Sequence, residues 1–162
     1  MFKDIAKVGK STMGWFFGFK LHLMVNKKSY ILIFFITQGN VDDRVPLNDQ
    51  NFLSKIKGKL YGDKGYISAK ITQLLFVDVV QLITRIRNKM KNCLLELKDK
   101  ILLKKRTIIE TINDEIKNIC QIEYSIHRIF ENFISNLISG LFAYSFFLKN
   151  QLLNLMLLIQ IR

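Results

Sequence analysis

From Phe17 to Val25 the chain alternates with period two, and no other stretch constrains its fold as strongly. Phe17, Phe19, Leu21, Leu23 and Val25 fall on one side, and Gly18, Lys20, His22 and Met24 on the other. Successive side chains of a strand point to opposite faces, so this pattern predicts a β-strand with one buried face. Asn26 to Ser29 is a polar turn. The run "YILIFFIT" follows without alternation, which predicts a second and more deeply buried strand. The two form a hairpin.

The flanking segments are read the same way. Residues 1–14 are polar, basic and glycine-containing, and predict a loop or arm. Trp15 and Phe16, next to the first strand, are expected to pack as core or edge, with base stacking as the lesser reading. "QGNVDDRVPLND" is a loop. Pro46 opens a short helix with Leu47, Phe52, Leu53 and Ile56 on its apolar side. "GKLYGD" predicts a third strand, "SAKITQLLFVD" a helix capped by Ser68, and "VVQLITRI" a fourth strand. From about Leu95 isoleucines and leucines recur at three-to-four spacing, which predicts long helices with a break near "CQIEYS". This order predicts one α/β domain of mixed topology.

Charge narrows the class of partner. The chain has 162 residues, 25 Lys+Arg against 13 Asp+Glu, and a net charge of +12. Such an excess favours a polyanion, nucleic acid first and an anionic membrane surface second. A lysine-biased coding sequence with a solvated surface explains the same numbers. A hydrophobic fraction of 49% excludes generic disorder. Cys93 and Cys120 lack metal-like spacing and are read as reduced thiols. The N-terminus has no apolar signal region. Near the C-terminus, "FISNLISGLFAYSFFL" and "LLNLMLLIQI" each fall short of the ~20 clean residues a spanning helix needs. A buried amphipathic helix followed by an apolar tail is expected.

Two features carry chemistry. "KLYGDKGYIS" sets Asp63 between Gly62 and Gly65 at a predicted strand end. Loops at strand ends project functional side chains, and glycines there admit a close approach by backbone, metal or phosphate. A plain Gly-Asp turn uses the same residues. On the first long helix, at about 100° per residue, Arg106, Glu110 and Lys117 fall within roughly 40° of one another. Isoleucines 108, 109, 112, 116 and 119 lie opposite. A solvated stripe of helical ion pairs gives the same pattern. His22 has no acidic or cysteine partner nearby in sequence and is expected at a surface or facing DNA.

Taken together, "GWFFGFKLHL", "TQGNVDDR", "LYGDKGYIS", "LITRIRNKMKN", "RTIIETINDEIKN" and "RIFENFISNLISGLFAY" resemble, in order and spacing, bacterial insertion-sequence transposases of the DDE class. The resemblance runs from about residue 2 to 146. One departure is Leu103, where the wider pattern often has tyrosine. The resemblance implies a ribonuclease-H-like mixed sheet with flanking helices over residues 1–148, and an apolar tail at 149–162. It implies DNA transposition by metal-dependent phosphodiester hydrolysis and strand transfer. Three acids would hold two Mg²⁺ or Mn²⁺ ions, which suits hard carboxylate ligands. Carried over by motif, Asp63 is the second acid and Glu110 the third. Arg106 and Lys117 would sit beside the metals or on phosphates. Lys64, Arg85 and Arg87 are further phosphate-binding candidates, and Asp43 a supporting acid near the metals or a loop cap.

In such enzymes the first acid lies on the first, central strand, ahead of the segment like "GWFFGFKLHL". Asp4 is the only carboxylate upstream here, in a stretch that resembles the basic connector after that strand. The chain is therefore expected to be N-terminally truncated, with the central strand absent and catalysis incomplete. The alternative is a non-enzymatic basic DNA-binding remnant, and a membrane-associated basic protein is a third reading. Expected partners are transposon ends and target DNA, with a homodimer in the DNA complex and no stable membrane association. The expected location is cytoplasmic, at the bacterial nucleoid.

Overall fold

The computed structural model describes residues 2, 4–11, 14–26, 29–49, 53, 56–84, 96–104, 107–122, 127, 129–146 and 156–161. Strands β1 (Lys7–Ser11), β2 (Gly14–Val25) and β3 (Ile31–Gln38) come first. A 3₁₀ turn at Val45–Asn48 carries Pro46 in its first two positions, where the missing N–H costs nothing. Then come β4 (Gly58–Gly62), α1 (Ala69–Val77) and β5 (Val80–Thr84). Ser68 caps α1 by accepting a hydrogen bond from Ile71 N at 3.5 Å. Helices α2 (Leu97–Lys104), α3 (Thr107–Asp114) and α4 (Phe130–Ser145) follow, and β6 (Met156–Ile161) ends the described chain.

The sheet is mixed. Its path is β1-β2-β6-β4-β5, with β3 also on β2. The expected β2–β3 hairpin is antiparallel, from Phe19↔Gln38 to Val25↔Ile31. β4 and β5 are parallel, joined through α1. Between β2 and β4 lies β6, antiparallel to the first (Leu23↔Ile159) and parallel to the second (Tyr61↔Leu157). Residues 156–161, in the segment read as an apolar tail, thus occupy the middle of the sheet.

Apolar layers cover both faces. On one, Leu21, Leu23, Val25 and Tyr61 pack against Ile112 and Ile116 and against Leu137, Leu141 and Tyr144 of α4. On the other, Met24 and Leu60 pack with Leu47, Ile56, Ile71 and Leu75. A strand sandwiched this way is buried on both sides, and β2 is buried continuously from Lys20 to Val25.

Four expectations change. The 1–14 arm contains β1, registered against β2 from Lys7↔Gly18 to Ser11↔Gly14. β2 buries both faces of its second half, while the largely apolar β3 leaves Leu32 and Phe34 exposed. His22, expected at a surface, is completely buried. Trp15 is not packed: it is 73% exposed.

Candidate functional site

Asp63 leaves the C-terminal end of β4 and is exposed. Lys59, Tyr61 and Asp63 share one parity, and Tyr61 belongs to the layer beneath α3. The backbone then closes into a tight turn, with Tyr66 N donating to Asp63 O at 3.1 Å. Neither Gly62 nor Gly65 has a positive φ, so the turn itself does not demand glycine. Gly65 is open, with nothing within 4 Å of where a Cβ would lie, whereas a Cβ on Gly62 would touch Tyr66 at 3.4 Å. The open side at Gly65 suits a close approach by a ligand.

Glu110 stands exposed in the first turn of α3, where the helix dipole favours a carboxylate. Two residues on, Ile112 is buried in the same layer as Tyr61 and Leu23. Asp63 and Glu110 thus stem from elements that share one sheet face. Lys117 does not simply continue the helical stripe. From Glu115 to Ile119 the helix widens into π form, with Cys120 N donating to Glu115 O at 3.0 Å. The i→i+5 spacing changes the angle per residue, so the alignment of Arg106, Glu110 and Lys117 that assumes a regular α-helix does not extend to Lys117, which is half-buried. It also leaves Ile119, expected on the packing side, 63% exposed. Arg106, Arg85 and Arg87 lie outside the described residues, as do Cys93 and the side chain of Lys64.

Asp43 meets Lys20: Nζ donates to Oδ1 at 2.7 Å and to the Val41 carbonyl at 2.7 Å. Its neighbour Asp42 caps the loop. Asp42 Oδ1 accepts from Arg44 N at 2.9 Å and from Arg44 Nε at 2.8 Å. The Arg44 hydrogen bond, opposed by burial, lowers the Asp42 carboxyl to about 2. Both acids and both cations line a cleft of about 640 Å³ that also includes Lys10, Trp15 and Gly65.

A buried carboxylate escaped the sequence reading. Asp99, at the start of α2, accepts from Lys59 Nζ at 2.9 and 3.0 Å and from Tyr61 Oη at 2.8 Å. Burial pushes its carboxyl up, but these hydrogen bonds outweigh that and hold it below the usual aspartate range. Burial and the same contact push the Tyr61 hydroxyl up. Asp99 therefore fastens α2 over β4. In sequence it is one more charge in "LKDKILLK", and no local signal marks it as buried.

A mixed sheet with antiparallel and parallel pairs, covered on both faces, is an α/β fold of ribonuclease-H-like type. A family model described as a transposase DDE domain matches residues 1–130. The chain belongs to that family, whose general activity is DNA transposition. Comparisons with curated proteins and with solved structures give no significant match. Transposase DDE domains generally use divalent metal ions. Among the described residues, no three His, Cys, Asp or Glu side chains group closely enough to hold one. Among them, too, no helix is long and apolar enough to cross a membrane.

Proposed function

We propose that this chain acts on DNA as a transposase-family protein whose catalytic site is short of a ligand. Asp63 and Glu110 are its two motif carboxylates, and they would hold Mg²⁺ or Mn²⁺. One Mg²⁺ can be bound by one or two carboxylates plus substrate phosphate. A pair of ions roughly 3.5–4 Å apart, clamping the entering and leaving oxygens, asks for more. The observation that carries this reading is that Asp63, at the exposed end of β4, and Glu110, in the first turn of α3, stem from elements sharing one sheet face, in a chain whose family match covers residues 1–130. Retention of DNA without cleavage follows, with Asp43 as a supporting acid and with Lys64, Arg85, Arg87, Arg106 and Lys117 on phosphates. Such a protein would work in the cytoplasm, at the nucleoid, as a dimer on transposon ends.

The test uses labelled duplex carrying the terminal inverted repeats next to its coding sequence, with Mg²⁺ or Mn²⁺. The expected result is binding that weakens steeply with salt, with no nicking. Nicking abolished by Asp63→Asn and by Glu110→Gln would instead establish a complete site. A chain that binds no DNA at low salt would sink the whole reading.

A further inference from the structure

The outer edge of β3 and one flank of α4 form an apolar ledge that neither the carboxylates nor the cations account for. Among the described strands β3 pairs only with β2, which makes it an edge strand. Edge strands are ordinarily blunted by a charge, a proline or a covering segment. Ile31–Gln38 has no charge and no proline, and Leu32 and Phe34 are exposed along it. Phe34 pairs with Leu23, so it lies on the face that α4 covers.

α4 runs the length of the β2–β3 hairpin. The Phe133 ring stacks on Phe19 at 5.3 Å near one end, and Tyr144 Oη donates to Ser29 O at 3.0 Å at the other. The rotation of the helix decides what its flanks meet. A Cβ on Gly140 would meet Ile122 Cγ1 at 2.6 Å, so that side faces the segment following α3, and α3 borders β6. At about 100° per residue Ile138 and Phe142 stand on the opposite side, toward β3. They are 47% and 64% exposed, and Phe146 leans edge-on against Phe142 at 4.9 Å.

Charge, area and symmetry select the occupant. From Ser29 to Gln38 and from Asn132 to Phe146 there is no Asp, Glu, Lys or Arg, in a chain of net charge +12. DNA and an anionic membrane find no cation on these segments, whereas a second, equally cationic copy meets no repulsion at the contact. From their exposed fractions, Tyr30, Leu32, Phe34, Ile138 and Phe142 uncover roughly 550 Å², a patch of the size that marks an interaction site. With the backbone edge of β3 this approaches the ~800 Å² per partner of a stable interface. An antiparallel strand pair is two-fold symmetric, so one edge serves both copies. We infer that two copies of this chain pair through β3, edge to edge, with Ile138 and Phe142 of the two copies meeting above the joined strands. The inference rests on the dimer reading above and names its interface.

Self-association of the full chain is measured by sedimentation in high salt without DNA, and again at low salt on duplex. The expected result is a dimer in both. Phe34→Lys and Phe142→Lys should each weaken it at least about tenfold. Phe76→Lys, at an exposed apolar residue of α1, should leave it unchanged. Phe34→Glu alone should also be monomeric. Mixed with Phe34→Lys it should restore a dimer, because the two-fold sets position 34 near its own copy. Circular dichroism confirms that each variant is folded. A dimer indifferent to both lysine variants overturns the interface. A monomeric parent whose binding to phosphatidylcholine vesicles is lost in Phe142→Lys gives the ledge to lipid and overturns it too. Copies that pair only on duplex, with Phe34→Lys pairing as well as the parent, overturn the interface and leave the dimer reading intact. No pairing with or without DNA overturns both.

Discussion

Leu23 of β2 and Ile159 of β6 are partners in an antiparallel ladder, so residues far apart in the chain close the middle of the sheet. β6 pairs on its other side with β4 through Leu60↔Met156 and Tyr61↔Leu157. Among the described strands, nothing else joins the β1-β2-β3 half to the β4-β5 half. Ile159→Pro removes a ladder donor from a central strand and should cost about 3 kcal/mol or more. Urea unfolding followed by circular dichroism measures the loss. A proline variant as stable as the parent would mean that β6 does not hold the halves together.

His22 makes stability depend on pH. Its Nε2 lies 2.9 Å from Thr37 Oγ1, and its buried Nδ1 has no hydrogen-bond partner. Burial lowers its pKa from 6.5 to about 4; the Asp43 carboxylate opposes this and Lys20 reinforces it. The unfolded chain therefore takes up the proton first. The contribution of His22 is intact above pH 6.5, falls as the pH drops toward 4, and levels off below. At 1.36 kcal/mol per unit the loss is about 3 kcal/mol. His22→Gln should flatten this limb. Parallel curves for parent and variant in urea titrations between pH 7.5 and 4 would exclude the buried, neutral imidazole.

Asp99 holds α2 on the sheet. Asp99→Ala strands the buried Tyr61 hydroxyl and should cost about 2 kcal/mol. Tyr61→Phe should cost about 1 kcal/mol, and the double variant less than the sum, because the two share one hydrogen bond. The Asp99 carboxyl lies below its usual range when folded, so its stabilisation is present above the ordinary aspartate pKa and is lost as the pH falls through the lowered one. Additive losses in the double variant would show that the pair is not coupled.

Much of this was legible one segment at a time. The β2–β3 hairpin, the Pro46 turn, the Ser68 cap, β4, β5 and the late helices follow from alternation, caps and turn residues that act within a few positions. The placement of Asp63 at a strand end and of Glu110 on a helix is readable because both signals are local too. The hidden parts are those set by a neighbour distant in sequence. Lys20 and His22 look like a solvent face until a layer covers them. "YILIFFIT" looks like a core strand until it is seen to lie off the main path of the sheet. Trp15 looks like packing until the hairpin leaves it outside. The π turn at Glu115–Ile119 has no signature in the isoleucine spacing.

The sequence by itself determined which segments are strands and helices and which residues cap and turn them. Only the tertiary structure decided which strand is central and which faces of β2 and β4 are covered. The physical reason is range. Propensity and periodicity are energies of neighbours along the chain, whereas the middle of a sheet goes to the strand that satisfies two ladders at once. Here that strand is β6, between β2 and β4, and its order in the chain does not announce it.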